Sequence, residues 1–119
     1  SSSMYLEQVS YRIKTPSLDV DLLKKAYDRL VSEHAILRTS FTNSYEEKLL
    51  QIVRKEVPSS FSSHNLPEGV ASAESYVEEF KEKDRQEGFE LSSLSQMRFQ
   101  IIDLENGSYE FVWSHHHIL

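Results

Sequence analysis

The 119-residue sequence contains no cysteine and no cluster of basic residues. The lack of cysteine excludes a disulfide framework and a cysteine-ligated zinc site, and it fits a reducing, cytoplasmic setting. Thirteen lysines and arginines against nineteen acidic residues leave a net charge of −6, whereas nucleic-acid binding requires a basic patch. No apolar run approaches the roughly 20 residues of a membrane span, and no secretory signal precedes the first predicted strand. We therefore expect a cytoplasmic protein that binds neither nucleic acid nor membrane.

The residues that are present have the composition of a globular protein. Hydrophobic residues make up 39% of the chain and aromatic residues 11%, more than a disordered chain would carry. The length suffices for one domain with one core, or for part of a larger domain.

The first third of the chain reads as a strand followed by an amphipathic helix. Alternating apolar residues predict a strand over residues 4–13, which Pro16 ends. Asp19 is typical of a helix N-cap, and apolar residues then recur at spacings of three and four until about residue 37. We expect this helix to pack four side chains onto a sheet: Leu22, Ala26, Leu30 and Val31.

The middle of the chain predicts short strands and a second helix. The strands are expected over residues 39–42, 49–57 and 61–66. The helix begins after Ser72 and ends at Gly88, which stands where a C-terminal glycine belongs. Its charged residues over 78–85, including Asp84, are interpreted as a solvated outer face with spaced ion pairs.

Two further strands close the pattern. They are predicted over residues 97–104 and 109–114, and Asn106-Gly107 between them is a strong hairpin signal. This order predicts an α+β fold, with two helices packed on one face of a largely antiparallel or mixed sheet. Tyr109, Phe111 and Trp113 alternate on one face of the last strand and are expected in the core.

Three consecutive histidines, His115 to His117, end the last predicted strand. They fit the remnant of an affinity tag, a metal site, a set of inert hydrogen-bonded side chains, or an acid–base catalyst. A zinc site would need ligands beyond His115 and His117, and His34 and His64 have no evident reason to converge there, so we predict no bound metal. A neutral imidazole at the end of a rigid strand suits proton transfer near neutral pH, which favours catalysis.

The histidine run is also the first of several segments that resemble one family. His116-His117-Ile118-Leu119 resembles the start of the His-His-x-x-x-Asp-Gly motif of condensation domains from nonribosomal peptide synthetases, in the chloramphenicol acetyltransferase-like superfamily. Further segments agree in colinear order: Tyr5-Leu6-Glu7-Gln8, Leu18-Asp19 with Leu22, Ala26, Leu30-Val31 and His34, Leu37-Arg38-Thr39-Ser40-Phe41, and Met97-Arg98-Phe99. The motif's Asp and Gly and the family's first segment are not in the sequence. The resemblance thus implies that residues 1–119 are a partial condensation domain, from its N-terminal subdomain.

The resemblance implies roles for individual residues. His117 is the second histidine of the motif, which in the family acts on the attacking amine, either as general base or by positioning the amine and stabilising the tetrahedral intermediate. His116 is expected to point to the opposite strand face and to be structural, and His115 receives no role. Arg38 either is buried and paired at a helix–strand corner or lines the substrate tunnel. We favour the first interpretation, and we interpret Arg98 in the same way.

The family also implies substrates and partners. Donor and acceptor aminoacyl thioesters would arrive on the 4′-phosphopantetheine arms of two peptidyl carrier protein domains, beside an adenylation domain, and the domain itself would need no cofactor and no metal. The missing C-terminal half of the domain would complete the tunnel, so the 119-residue fragment is expected to be inactive alone. The alternatives are another acyltransferase of the superfamily, acting on a small alcohol or amine, and a non-catalytic condensation-like module that recruits a partner.

Overall fold

The computed structural model describes residues 6–43, 46, 48–117 and 119. The sequence forms six strands and two α-helices within these ranges. In chain order they are β1 (Leu6–Lys14), α1 (Val20–Glu33), a short 3₁₀ helix (Ala35–Arg38), β2 (Thr39–Asn43), β3 (Leu49–Val53), β4 (Phe61–Asn65), α2 (Ala73–Glu87), β5 (Met97–Asp103) and β6 (Ser108–His116). The start of the first predicted strand, at Met4 and Tyr5, lies outside the described residues.

The predicted helix and hairpin signals occur where the sequence placed them. The Asp19 carboxylate accepts a hydrogen bond from the Leu22 amide at 3.0 Å, and the Ser72 hydroxyl accepts one from Ser75 at 3.0 Å, so both N-caps are confirmed. Gly107 has a φ of 74°, and a Cβ there would lie 2.8 Å from the Thr15 carbonyl oxygen. The β5–β6 turn therefore requires glycine at this position.

The strands form a four-stranded sheet in the order β1-β6-β5-β4, and β2 pairs with β3 in a separate two-stranded sheet. The pairs β1–β6 and β5–β6 are antiparallel, whereas β4 runs parallel to β5. A parallel pair needs a long crossover, and helix α2 supplies it between β4 and β5. The predicted α+β class with a mixed sheet is confirmed.

The expectation that both helices cover one face of the sheet is wrong. Helix α1 packs Tyr27 and Val31 against Ile101, whereas α2 packs Val77 against Ile102. Neighbouring residues of a strand point to opposite faces, so the helices lie on opposite sides of the sheet. We call these sides the α1 face and the α2 face. The chain crosses the sheet from β1 to β4 through α1 and returns from β4 to β5 through α2, and right-handed crossovers in opposite directions lie on opposite faces.

The predicted packing of α1 is corrected as well. Val31 is buried, but Leu22 is 61% exposed, Leu30 is 46% exposed and Ala26 is exposed. The row that meets the sheet is Leu23, Tyr27 and Val31. The other row lies about 100° around the helix, so one sheet cannot cover both rows.

Candidate active site at the end of strand β6

Strand β6 carries the histidine run and lies between β1 and β5. Its residues alternate strictly: Val112, Ser114 and His116 are buried on the α2 face. Tyr109, Phe111 and Trp113 lie on the α1 face and are partly buried against the hydrophobic core on that side. The three aromatic residues predicted for the core thus line one face. The same alternation sends His115 and His116 to opposite sides of the sheet.

His117 follows the last strand residue, and its side chain is 69% exposed. Its Nδ1 atom lies 2.8 Å from Oε1 of Glu7 on β1. A carboxylate oxygen only accepts, so this bond requires the proton on Nδ1. In the neutral ring the Nε2 atom then keeps its lone pair and can receive a proton. The residue predicted to act on the amine therefore presents a basic nitrogen at an open part of the surface.

His115 lies beside His117 on the α1 face. Its ring is 5.2 Å from the Trp113 ring, and its Nδ1 atom is 3.1 Å from the backbone oxygen of His116. The Nε2 atom of His115 is 3.5 Å from Oε2 of Glu7. The sequence interpretation assigned His115 no role. The structure places its ring near the Glu7 carboxylate, which also contacts His117.

His116 is buried on the α2 face. Its backbone N–H donates to the Gln96 carbonyl oxygen at 2.8 Å, which ties the end of β6 to the segment before β5. Burial lowers the pKa of the His116 ring, and the neighbouring His117 adds to this. A buried, neutral ring fits the structural role predicted for His116, which stays a prediction.

Arg38 lies at the corner between α1 and the β2–β3 sheet. Its guanidinium donates to the backbone oxygens of Val31 at 3.1 Å, of Ser32 at 3.2 Å and of Arg54. These contacts satisfy carbonyl groups at the end of α1, where helical partners run out. None of them reaches the histidine run, so the geometry favours the corner interpretation of Arg38 over a tunnel lining.

The largest error of the sequence interpretation concerns Asp84, which is buried with 4% exposure instead of facing solvent. Gln8, Ser114 and Arg98 form one row across β1, β6 and β5, and all three donate to the Asp84 carboxylate. Arg98 binds at 2.8 Å and also lies 4.1 Å from the Phe89 ring. Arg98 is therefore paired, as expected, and it is partly rather than fully buried.

The charge state of Asp84 follows from these bonds. Burial alone raises the pKa of a carboxyl group, but hydrogen bonds from Ser114, Gln8 and Arg98 outweigh burial and lower the pKa of Asp84. Asp84 is thus a buried carboxylate, and its partner Ser114 is two strand residues from His116 on the same face. Asp84 lies seven residues after Val77 and four residues after Phe80 along α2, which places it on the apolar stripe of the helix. The sequence interpretation overlooked this signal.

Within the residues that the structure describes, no group of three or more histidine, aspartate and glutamate side chains is arranged to hold a metal ion. No helix in this part of the chain is both long enough and apolar enough to cross a membrane. The expectation of no metal at His115 and His117 stays a prediction.

Comparison with known proteins decides the family. The model of the family described as Condensation domain matches residues 1–119. The chain belongs to the condensation-domain family. It is 32% identical to bacitracin synthase 1 of Bacillus licheniformis over its whole length, and 34% identical to a linear gramicidin synthase of Brevibacillus parabrevis over 98% of its length. In each case the chain spans about 2% of the relative.

Solved condensation domains share the fold. The first condensation domain of the calcium-dependent antibiotic synthetase, solved with a substrate analogue, superposes with a TM-score of 0.84 at 17% identity, over 98% of this chain and 29% of that chain. The condensation domain of the Monacolin K polyketide synthase superposes with a TM-score of 0.81 at 19% identity, over 96% of this chain and 25% of that one. This condensation-domain segment therefore has the predicted α+β fold class.

Proposed function

We propose that this chain forms part of a nonribosomal peptide synthetase condensation domain that joins two carrier-bound aminoacyl thioesters through a peptide bond. The observation that carries the proposal is the position of His117. A central strand of the sheet delivers this ring to an open surface, with Nδ1 bound to Glu7 and Nε2 available. The family match over residues 1–119 supports the assignment of the ring to condensation chemistry.

The proposed reaction uses the free nitrogen of His117. The amine of the acceptor attacks the donor thioester carbonyl, forming the C–N bond, and the C–S bond breaks as the tetrahedral intermediate collapses. Nε2 of His117 takes the proton that the amine loses, and this proton ends on the departing thiol. The 2.8 Å contact between Nδ1 and Glu7 limits the orientations of the ring, which suits a general base.

His116 and Arg38 are proposed to support the site without touching substrate. The ring of His116 is buried on the α2 face, and the backbone N–H of the same residue joins the end of β6 to Gln96. Arg38 fixes the end of α1 through backbone carbonyls. Both roles are structural, and they keep the strand that bears His117 in register.

The missing C-terminal half of the condensation domain is the proposed partner of the apolar side chains that stay exposed on β1 and on α1. Apolar side chains of the edge strand β1 and of the outer row of α1 are exposed, namely Val9, Tyr11, Ile13, Leu22 and Leu30. A row of exposed apolar side chains along one strand is typical of an interface. The strip begins two residues from Glu7, so a covering half would enclose the site of His117 and form a tunnel.

The remaining proposed partners follow from the same function. Donor and acceptor would reach the tunnel on 4′-phosphopantetheine arms of two peptidyl carrier protein domains, and a neighbouring adenylation domain would load them. The domain is proposed to use no cofactor and no metal of its own, and to work in the cytoplasm.

The proposal is tested with the complete condensation domain and two carrier proteins loaded with different amino acids. Mass spectrometry should find a dipeptide on the acceptor arm. His117→Ala should lower the rate of its formation by about 10²–10⁴-fold, the usual contribution of a positioned acid–base group. The 119-residue chain alone should give no product. Acyl transfer to a small alcohol or amine without a carrier-bound acceptor would instead favour another acyltransferase, and binding of the loaded carriers without any transfer would favour a recruitment module.

A further inference from the structure

Glu7 is the polar exception in an otherwise apolar row. On the α1 face, strand β1 presents Glu7 followed by Val9, Tyr11 and Ile13. Each of these residues pairs across the strands with β6, and the partner of Glu7 is His115. The register of nine consecutive pairs fixes the carboxylate beside the histidine run.

The hydrogen bonds around Glu7 distinguish the two histidines. Nδ1 of His115 faces the backbone oxygen of His116 at 3.1 Å. Nε2 of His115 lies 3.5 Å from Oε2 of Glu7, beyond the usual length of an N–H···O hydrogen bond. His117 does donate, from Nδ1 to Oε1 of Glu7 at 2.8 Å. Glu7 is thus bonded to His117, while His115 only borders it.

The stability of the fold does not account for this contact. The Glu7 side chain is 52% exposed and that of His117 is 69% exposed, and solvent-exposed pairs of this kind contribute little to stability. The consequence is orientational, because a carboxylate on Nδ1 selects one tautomer and one direction of the ring.

We propose that Glu7 is a positioning residue that holds the His117 ring with Nε2 directed at the acceptor amine. This inference rests on the proposed function, since it matters for catalysis only if His117 acts on the amine. It adds a partner from β1, more than 100 residues earlier in the chain, to the histidine motif.

The direct test reads the tautomer in the complete condensation domain with ¹⁵N-labelled histidine. The neutral ring of His117 should carry its proton on Nδ1, and Glu7→Gln should abolish this preference, because an amide can either donate or accept. Thermal melting should be unchanged, which separates positioning from folding. Nε2 protonation in the unsubstituted domain would overturn the inference without any variant having to fold.

The kinetic test compares Glu7→Gln with Glu33→Gln, a matched control whose carboxylate pairs with Arg29 on the exposed surface of α1. Glu7→Gln should lower kcat by about 10–100-fold with little change in KM, by analogy with the range for partners that orient metal-binding histidines. Glu33→Gln should leave both constants unchanged. In a His117→Ala background, Glu7→Gln should have no further effect.

The two levels of the proposal fail differently. If His117→Ala keeps the full rate, the proposed function of His117 is wrong, and the role of Glu7 falls with it. If His117→Ala loses rate while Glu7→Gln keeps both kcat and the Nδ1 tautomer, only the positioning role is wrong. An equal loss from Glu7→Gln in the presence and absence of His117 would also contradict positioning, because Glu7 would then act through another group.

Discussion

The two faces of the four-stranded sheet are built by different means. On the α1 face, aromatic rings pack in a continuous cluster, with Phe61 stacked on Phe99 at 5.7 Å and Phe99 edge-on to Phe111 at 5.6 Å. On the α2 face, a buried carboxylate binds three strands through Gln8, Ser114 and Arg98. An aromatic core tolerates small shifts, whereas a charged network requires every partner.

Each face ends in its own histidine. The aromatic face leads through Trp113 to His115 and the exposed His117, and the polar face leads through Ser114 to the buried His116. Under the proposed function, the exposed His117 acts on substrate and the buried His116 has a structural role. The charge-bound α2 face can then hold the end of β6 in place while the other side of the sheet is open at His117.

The largest expected effect comes from neutralising the polar face. Asp84→Asn keeps the shape but leaves the Arg98 charge buried without its counter-ion, and we expect a loss of about 3–5 kcal/mol in the free energy of unfolding. Met97→Leu, a swap of similar volume in the α1-face core, should cost less than about 1.5 kcal/mol. Denaturant unfolding of the complete domain measures both. Similar losses in the free energy of unfolding for the two variants would mean that the two faces tolerate substitution equally.

A matched pair of hydroxyl deletions sharpens the comparison. Ser114→Ala removes a hydrogen bond to the Asp84 carboxylate and should cost about 1.5–3 kcal/mol, the range for bonds to charged groups. Tyr27→Phe removes a bond between two neutral hydroxyls, Tyr27 and Ser60 at 2.7 Å, and should cost about 0.5–1.5 kcal/mol. Urea titration of both variants gives the order, and the reverse order would contradict a charge-bound α2 face.

The smallest expected effect is a pH dependence from the histidines on the α2 face. Burial lowers the pKa of His116 and of His64, so the native state resists protonating them. The unfolded chain then binds more protons, and stability should fall as the pH drops below the ordinary histidine value of about 6.5. The lowered pKa of Asp84 acts in the same direction below about 3.8, its ordinary value.

Melting temperatures measured between neutral and mildly acidic pH test this dependence. His116→Asn should reduce the slope of the melting temperature against pH, whatever its effect at neutral pH. An unchanged slope in both His116→Asn and His64→Gln would show that neither ring is held neutral by burial.

Local signals made much of the fold predictable. Asp19 and Ser72 cap the two helices as expected, and Asn106-Gly107 closes the hairpin, because each depends on a side chain or a backbone angle within a few residues. The alternation along β6 correctly separated His116 from its neighbours. Local periodicity suffices for such features.

Features that depend on tertiary placement were not predictable in the same way. Helix α1 has two adjacent apolar rows, and the sequence does not say which one meets the sheet, so Leu22 and Leu30 were misplaced. Asp84 was assigned to solvent because charged neighbours surround it, although its four donors come from three separate strands. The bond from Glu7 to His117 joins the two ends of the chain, and no local pattern indicates it.

The most direct test of the division between the two faces compares His116→Ala with His117→Ala in the complete condensation domain. For each variant, product formation from two loaded carrier proteins is measured beside a thermal melt. We predict that His117→Ala loses rate and melts normally, whereas His116→Ala melts at a lower temperature and keeps its intrinsic rate while folded. A parental rate in His117→Ala, or equal losses of rate with normal melting in both variants, would contradict the account.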